Sequence, residues 1–285
     1  MSILWAAFLG LIQGLTEFLP VSSSGHLSLL QALFHMNSDH LLLFNIMLHL
    51  GTLGAVLIVF WKDWIQMILH PIKNKTLLLL FIASVPALAA KVLFSDQLDY
   101  LETSNTLLGV CFLFTGLLLM LTQWLSLRNV RLNQETHEVG VWHALVMGVM
   151  QTVGMLPSVS RSGSTIFGGV ATKLDRETAA KFSFMMSLPA IIGSFLSEGY
   201  KGYKAGAFSQ NGDLVAIVVG MVVAGVIGYL SIRFMLKIIT KISLNWFALY
   251  VVIIGLLVIV LQIMGIITNP PQTADTVAKS LSGLL

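Results

Sequence analysis

The chain has 285 residues, of which 56% are hydrophobic and only 10% are charged, and its mean hydropathy is +0.87. A soluble core of this size cannot bury so much apolar surface, so the composition predicts an all-α integral membrane protein with several spans. The formal net charge of +3 is small, and nucleic-acid binding is therefore not expected. The single cysteine, Cys111, excludes a disulfide within the chain and a cysteine-based metal site.

Two short apolar stretches, 2–18 and 22–34, open the chain and meet at a polar turn that contains Pro20. This pattern predicts a re-entrant helical hairpin, which enters the membrane without crossing it. No Lys or Arg precedes Lys62, so the first residues are not expected to be a signal peptide. Three crossings are predicted next, at 45–61, 77–93 and 107–125.

The second half of the chain repeats this plan. A second re-entrant hairpin is predicted at 141–171, and three crossings follow at 182–196, 214–232 and 246–267. We therefore expect one membrane domain at 1–268, built from repeats at 1–135 and 140–268, and a polar C-terminal tail at 269–285. Because each repeat crosses the membrane an odd number of times, the two copies are expected to have inverted topology.

Lysine and arginine are distributed unevenly over the predicted loops. Eleven of these residues fall on one side of the membrane and three on the other, with Lys91 and Arg161 left within it. By the positive-inside rule the side with eleven is cytoplasmic, so both termini are expected to be external. The two hairpins then enter from opposite faces, and their tips can meet near the middle of the membrane.

The first hairpin carries polar residues that a lipid-facing segment could not accommodate. Gln13 and Glu17 are spaced i, i+4 and share one helix face, and a carboxylate at membrane depth is usually functional. The turn at 22–25 offers hydroxyls and backbone amides at a helix N-terminus, which are the components of an anion site. His26 follows directly, within reach of Ser23 or of a bound phosphoryl group.

The second hairpin contains a weaker copy of the same pattern. Both copies read Gly-x-x-Gln, then Leu-Pro, then a serine-rich turn that closes on Ser-Gly. Paired interruptions of this kind predict a binding site at the repeat interface rather than two unrelated kinks. The second turn, at 160–165, adds Arg161, whose guanidinium suits a two-pronged contact with phosphate. A buried ion pair between Arg161 and Glu17 is the structural alternative, and one arginine can do both.

One further histidine, His49, lies inside a predicted crossing. It is interpreted either as a partner of the site residues or as a histidine that packs between helices, and the second interpretation is favoured.

The segments GLTEFLPVSSSGH at 14–26, SRSGST at 160–165 and FSF at 182–184 together resemble the bacterial undecaprenyl-diphosphate phosphatase family of the bacitracin-resistance type. The resemblance covers nearly the whole chain, to about residue 267. It implies an enzyme that removes the terminal phosphate of undecaprenyl diphosphate at the outer face of the bacterial plasma membrane. That reaction recycles the lipid carrier used in cell-wall synthesis, and similar enzymes depend on Mg²⁺ or Ca²⁺.

The resemblance also implies roles for individual residues. Its acidic pair falls on Gln13 and Glu17, its hydroxyl cluster on Ser22, Ser23 and Ser24, its histidine on His26 and its arginine on Arg161. Together with the two turns as anion sites, this predicts catalysis by Glu17, Ser23, His26 and Arg161 and metal binding by Gln13 and Glu17. Substrate binding is predicted for Gln13, Ser22, Ser24, Gly25, Ser160, Ser162, Gly163 and Thr165. The chain departs from the family pattern at two positions. Gln13 leaves the motif with a single carboxylate, and Ser158 follows Pro157 where the family usually has glycine, which leaves a glycine-type backbone there in question.

The phosphatase hypothesis leaves the nucleophile open: Ser23 activated by His26, His26 itself, or a water molecule activated by Glu17. Its substrate is undecaprenyl diphosphate, whose isoprenoid tail would remain among the membrane lipids. The sequence leaves the oligomeric state open between a monomer and a homodimer. The competing hypothesis is a secondary transporter or flippase for polyprenyl phosphate, because inverted repeats with broken helices are a transporter architecture.

Overall fold

The structure is a computed structural model that describes residues 2–36, 41–71, 74–95, 97–98, 101, 105–204 and 214–267. The helices in this part of the chain are α1 (Ile3–Phe18), α2 (Ser23–Leu33), α3 (Leu41–Val59), α4 (Trp61–Leu69), α5 (Thr76–Leu93), α6 (Leu108–Arg131), α7 (Val141–Val153), α8 (Arg161–Ala171), α9 (Arg176–Lys204), α10 (Leu214–Ile238) and α11 (Asn245–Ile263). Strand pairing among the same residues is limited to an isolated bridge between Thr136 and Leu174. The predicted all-α class is confirmed, and the predicted tail at 269–285 lies outside the described residues.

Five helices in the described part of the chain are long and apolar enough to cross a membrane, namely α5, α6, α9, α10 and α11. The pair α3 and α4 meets the same criteria only when taken together, and it is bent by 72° between Val59 and Trp61. Counting the bent pair as one span gives six. The protein is therefore a multi-pass membrane protein.

Both predicted hairpins are present. Helices α1 and α2 have 16 and 11 residues, and α7 and α8 have 13 and 11, whereas a membrane-spanning helix needs about 20. Helix α1 ends because Leu19 is extended and precedes Pro20. In the second hairpin the turn that contains Pro157 separates α7 from α8. We call α1 with α2 the first hairpin and α7 with α8 the second hairpin.

The prediction of a single crossing at 45–61 was wrong at both ends. Helix α3 already begins at Leu41 and ends at Val59, and a separate helix, α4, follows. Helix α4 buries Trp64 and Met67 and exposes Trp61 and Ile68. This two-faced pattern is typical of a helix that lies along a membrane interface rather than through the apolar layer.

Three predicted crossings were too short, because hydropathy marks only the apolar part of a helix. Helix α6 continues to Arg131, α9 begins at Arg176, and α10 continues to Ile238. Backbone hydrogen bonding extends these helices into polar sequence. Glu177 in the first turn of α9 and Lys237 in the last turn of α10 have the charges that favour those helix ends.

Small residues allow the helices to approach closely. A Cβ atom on Gly10 of α1 would lie 2.4 Å from the carbonyl oxygen of Gly220 in α10, and one on Gly14 would lie 2.8 Å from that of Ala224. In the same way, a Cβ on Gly148 of α7 would lie 2.3 Å from the carbonyl oxygen of Ala83 in α5. Such contacts hold helices together by close packing where no hydrophobic effect drives them together.

The two close pairings, α1 with α10 and α7 with α5, are reciprocal. In the predicted repeats α1 corresponds to α7, and α5 corresponds to α10, so each hairpin packs against the same helix of the other repeat. This arrangement is expected of two repeats related by a two-fold axis. The inverted orientation in the membrane and the boundaries of the repeats remain predictions.

Candidate active site

The tips of the two hairpins contact each other. The Ser162 hydroxyl at the start of α8 donates a hydrogen bond to the carbonyl oxygen of Leu19, at 3.2 Å. A Cβ atom on Gly163 would lie 3.6 Å from the Cβ of Pro20. The polar turns that interrupt the two apolar patterns are therefore brought together, as the sequence predicts.

Glu17 lies at the centre of this contact, and it is 6% exposed. Its Oε2 accepts hydrogen bonds from Gln13 Nε2, at 2.9 Å, and from Ser23 Oγ, at 2.5 Å. Its Oε1 accepts one from Arg161 Nη2 of the second hairpin. Three of the four predicted catalytic residues are thus joined through one carboxylate.

Burial of the Glu17 carboxylate is tolerable only because these donors compensate it. An isolated buried carboxylate would lose several kcal/mol of hydration, of which its partners must restore most. The Arg161 side chain is 21% exposed, and a guanidinium has five N–H donors. Arg161 therefore keeps donors for a phosphate while one of them is bound to Glu17.

The first turn is held by its own side chains. Ser22 has φ +71°, and its hydroxyl caps α2 by accepting a hydrogen bond from the amide of Gly25, at 3.2 Å. Ser23 is half-buried and Ser24 is exposed. The first amides of a helix have no acceptor within the helix, so those of Ser23 and Ser24 are of the kind that can donate to a bound anion.

The second turn is held in the same way, and most of its hydroxyls are already engaged. Ser160 caps α8 by accepting from the amide of Gly163, at 3.1 Å, and lies 3.3 Å from the Ser162 hydroxyl. Thr165 contacts Ser183 of α9, at 2.5 Å. In this structure the predicted substrate-binding residues Ser160, Gly163 and Thr165 shape the turn, and Arg161 is the group that faces the site.

Ser158 adopts the backbone conformation that the resemblance had left in question. Its φ is +66°, in the left-handed region, and it is 2% exposed. The turn thus keeps the glycine-type conformation although the residue is serine, at a cost of roughly 1 kcal/mol relative to glycine.

His26 does not contact Ser23 through a hydrogen bond in this structure. Its Nδ1 lies 2.7 Å from the carbonyl oxygen of Ser22, and its Nε2 lies 2.8 Å from the hydroxyl of Tyr250 in α11. The ring is 7% exposed and packs edge-on against Phe112. The hydroxyl of Ser23 is bound to Glu17 instead, which is a pairing that none of the three sequence-based mechanisms assumed.

His49 belongs to the site, contrary to the favoured interpretation of its sequence. Its Nε2 lies 3.7 Å from Glu17 Oε2, and its Nδ1 donates to the carbonyl oxygen of Asn45, at 2.8 Å. A protonated His49 ring would therefore add a second positive charge beside Glu17. A histidine in an apolar crossing was the available signal, but its distance from Glu17 cannot be read from the sequence.

A divalent cation is compatible with this site only if the substrate supplies most of its ligands. The described residues contain no group of three or more His, Cys, Asp and Glu side chains that could hold a metal. Gln13 Oε1, however, is buried and has no hydrogen-bond partner, because the amide nitrogen faces Glu17. Mg²⁺ commonly binds through one or two protein oxygens together with phosphate oxygens and water, and Gln13 Oε1 with Glu17 fits that role.

The fold and the site together define a multi-pass α-helical membrane protein with a polar site between two short helical hairpins. The chain matches the family model described as bacitracin resistance protein BacA over residues 6–257, and it belongs to that family.

Several relatives cover nearly the whole chain, and each is described as an undecaprenyl-diphosphatase. The protein of Carboxydothermus hydrogenoformans is 41% identical over 260 residues, which cover 91% of this chain and 97% of that protein. The protein of Halothermothrix orenii is 38% identical over 262 residues, covering 92% and 98%. The protein of Thermodesulfovibrio yellowstonii is 35% identical over 246 residues, covering 86% and 91%.

Proposed function

We propose that this protein is an undecaprenyl-diphosphate phosphatase, which hydrolyses the polyprenyl diphosphate carrier to the monophosphate and inorganic phosphate. The observation that carries the proposal is the hydrogen-bonded group of Ser23, Glu17 and Arg161, which lies partly buried where the two hairpins meet. A hydroxyl, a base and a guanidinium in contact are the groups that phosphoryl transfer needs. Membership of the family and the descriptions of the relatives support the same substrate.

In the proposed first step Glu17 takes the proton of Ser23, and Ser23 Oγ attacks the terminal phosphorus. The bond from that phosphorus to the bridging oxygen breaks, and the bridging oxygen leaves with the electron pair as part of the lipid monophosphate. The short bond from Ser23 to Glu17 favours this pairing over a base role for His26. Glu17 then passes the Ser23 proton to the departing lipid monophosphate and is a free carboxylate again. In the second step Glu17 accepts a proton from the water molecule that attacks the phosphoserine. The bond from phosphorus to Ser23 Oγ breaks, Glu17 returns the proton to Ser23, and inorganic phosphate leaves.

Arg161 and the helix amides hold the phosphates in this mechanism. Arg161 donates one hydrogen bond to Glu17 and uses its remaining N–H groups for the terminal phosphate. The first amides of α2, which have no acceptor within the helix, would donate to the phosphates as well. Because the charges are fixed before substrate arrives, they stabilise the negative charge of the transition state without reorganisation.

A Mg²⁺ or Ca²⁺ ion bound to Gln13 Oε1, Glu17 and the diphosphate would neutralise charge on the leaving oxygen. The isoprenoid chain remains among the membrane lipids beside the helices. The distribution of Lys and Arg supports an outward-facing site in the bacterial plasma membrane. A homodimer remains a prediction from the sequence.

The test is phosphate release from undecaprenyl diphosphate by purified protein in detergent micelles. We expect release by the wild type, a loss of at least about a hundredfold in Ser23→Ala, and little change in Ser28→Ala, an alanine replacement on the same helix. Release of no phosphate by folded wild-type protein would favour the flippase alternative and contradict the proposal.

A second measurement separates serine attack from direct attack by water. The substrate carries radioactive phosphorus in its terminal phosphate, and the reaction is quenched in acid. We expect label on the wild-type protein and none on Ser23→Ala. A parallel quench in alkali preserves phosphohistidine. If the active enzyme carries no label after either quench, a water molecule activated by Glu17 is the nucleophile instead, whereas label only after the alkaline quench would identify His26.

A further inference from the structure

Tyr250 contacts the site from a helix that the resemblance does not include among its functional segments. It lies on α11, within an apolar sequence, and is 44% exposed. Its hydroxyl lies 2.8 Å from His26 Nε2. The two rings are nearly parallel, with 5° between their planes and 5.7 Å between their centroids. Tyr250 therefore fixes both the position and the tilt of the His26 ring.

The hydrogen bond of the other ring nitrogen, Nδ1, determines the direction of the hydrogen bond between Tyr250 and His26. His26 Nδ1 lies 2.7 Å from the carbonyl oxygen of Ser22, and a carbonyl oxygen can only accept. Nδ1 therefore carries the proton, and in the neutral ring Nε2 accepts the Tyr250 hydroxyl. This gives a continuous chain in which Tyr250 donates to His26 and His26 donates to Ser22.

The chain ends at a backbone position that needs support. Ser22 has φ +71°, a conformation that costs a non-glycine residue roughly 1 kcal/mol. The next residue is Ser23, whose hydroxyl must stay on Glu17. The Ser22 carbonyl carbon is bonded to the nitrogen of Ser23, so a hydrogen bond from His26 to the Ser22 carbonyl oxygen restrains the peptide plane from which Ser23 projects.

We propose that Tyr250 is a positioning residue for Ser23 and acts through His26 and the Ser22 carbonyl. The proposal rests on the proposed function, since it assigns Ser23 the nucleophilic role. It also gives His26 a task that does not require contact with substrate. Tyr250 orients the imidazole, the imidazole orients the turn, and the turn orients the nucleophile.

The main test is Tyr250→Phe, which removes the hydroxyl and keeps the stacked ring. We expect kcat to fall about five- to tenfold, with KM within about twofold, because only the alignment of Ser23 is lost. Tyr229→Phe is the matched control, since the Tyr229 hydroxyl is bound to exposed Arg233. Equal melting temperatures of the two variants would show that Tyr250→Phe folds normally.

A double-mutant cycle tests whether Tyr250 acts through His26. In His26→Asn the amide can still donate to the Ser22 carbonyl, but it cannot reach Tyr250. We expect Tyr250→Phe to have no further effect on kcat in that background, as is found for residues that act as one unit. Additive losses would contradict the proposed chain.

Nitrogen NMR of protein labelled with ¹⁵N-histidine gives a measurement that does not depend on activity. The His26 signals are assigned by their loss in His26→Asn, and we expect Tyr250→Phe to shift the Nε2 signal. Wild-type protein that releases no phosphate would overturn the proposed function and the role of Tyr250 with it. Active wild type with normal kcat in Tyr250→Phe, or an unmoved Nε2 signal, would overturn only the role of Tyr250.

Discussion

Arg161 donates a hydrogen bond to Glu17 across 144 positions of sequence, from the second hairpin to the first. The two residues lie in different predicted repeats. Neither repeat alone therefore contains both a base and a phosphate-binding guanidinium, and the site exists only where the hairpins meet.

Arg161→Lys is expected to lower kcat/KM by about 10- to 100-fold, since a lysine offers one point charge where arginine serves Glu17 and a phosphate together. The measurement is phosphate release over a range of substrate concentrations. Arg233→Lys is the control, because Arg233 is exposed and its guanidinium is bound to Tyr229, away from the hairpins. Near-normal kcat/KM in Arg161→Lys would count against the phosphate role.

Gln13 and Glu17 are one helical turn apart but should differ in importance. Glu17→Gln removes the base and the charge, and turnover is expected to fall at least about a hundredfold. Gln13→Glu adds a second carboxylate next to the first, so the variant should need less Mg²⁺ for half-maximal activity.

The measurement for this pair is a magnesium titration of both variants after treatment with a chelator. If Gln13→Glu abolished activity while Glu17→Gln kept it at saturating Mg²⁺, Glu17 would be neither the base nor a metal ligand.

Substitution by alanine should destabilise the protein at one glycine of α3 and stabilise it at another. A Cβ on Gly51 would lie 2.1 Å from the carbonyl oxygen of Met221, whereas a Cβ on Gly54 would meet nothing within 4 Å. Gly51→Ala should destabilise the protein by about 1–3 kcal/mol or more, and Gly54→Ala should stabilise it by about 0.5–1 kcal/mol. Thermal unfolding in detergent measures both, and equal shifts would argue against the close approach of α3 and α10.

Asp175 gives the stability a dependence on pH. It caps α9 by accepting from the amide of Thr178, at 3.0 Å, and it also contacts His137, at 2.9 Å. Burial raises the pKa of Asp175, but the hydrogen bonds from Thr178 and the contact with His137 outweigh burial and hold the pKa below its ordinary value. Its stabilisation is therefore present above the unfolded pKa and is lost as the pH falls through the folded pKa.

The test of this cap is thermal unfolding of Asp175→Ala and wild type at two pH values. We expect the variant to be less stable by about 1 kcal/mol near neutral pH, and the difference to shrink below about pH 3.9. Asp175→Asn, which keeps an acceptor without the charge, should lie between the two near neutral pH. If the difference in stability between Asp175→Ala and wild type did not change with pH, the charge of Asp175 would not contribute to stability.

The hairpins were predictable because polar residues interrupt an otherwise apolar pattern. A carboxylate, a proline and three serines within 17–24 leave no lipid-facing alternative, and the second turn repeats the signal. The contact between Glu17 and Arg161 could be anticipated for the same reason, since opposite charges within a membrane are stabilised when they pair with each other.

The remaining contacts could not be predicted, since they depend on how helices far apart in sequence pack. Tyr250 meets His26 across 224 positions, and no local pattern in α11 marks it. Helix α4 was missed because Lys62 and Asp63 end the apolar stretch, and hydropathy alone does not show that the polar sequence after a crossing is helical. The polar ends of α6 and α9 were missed because hydropathy falls before the helix ends.

The division of the site between two hairpins also affects the biogenesis of the protein. During synthesis the first hairpin reaches the membrane while Arg161 is still to be made, 144 residues later. Until Arg161 has been synthesised, Glu17 has to remain partly hydrated or protonated, because an unpaired carboxylate is not stable in lipid. Assembly of the first half is therefore completed only after translation has passed the second hairpin, and a chain truncated between them would be a target for membrane quality control.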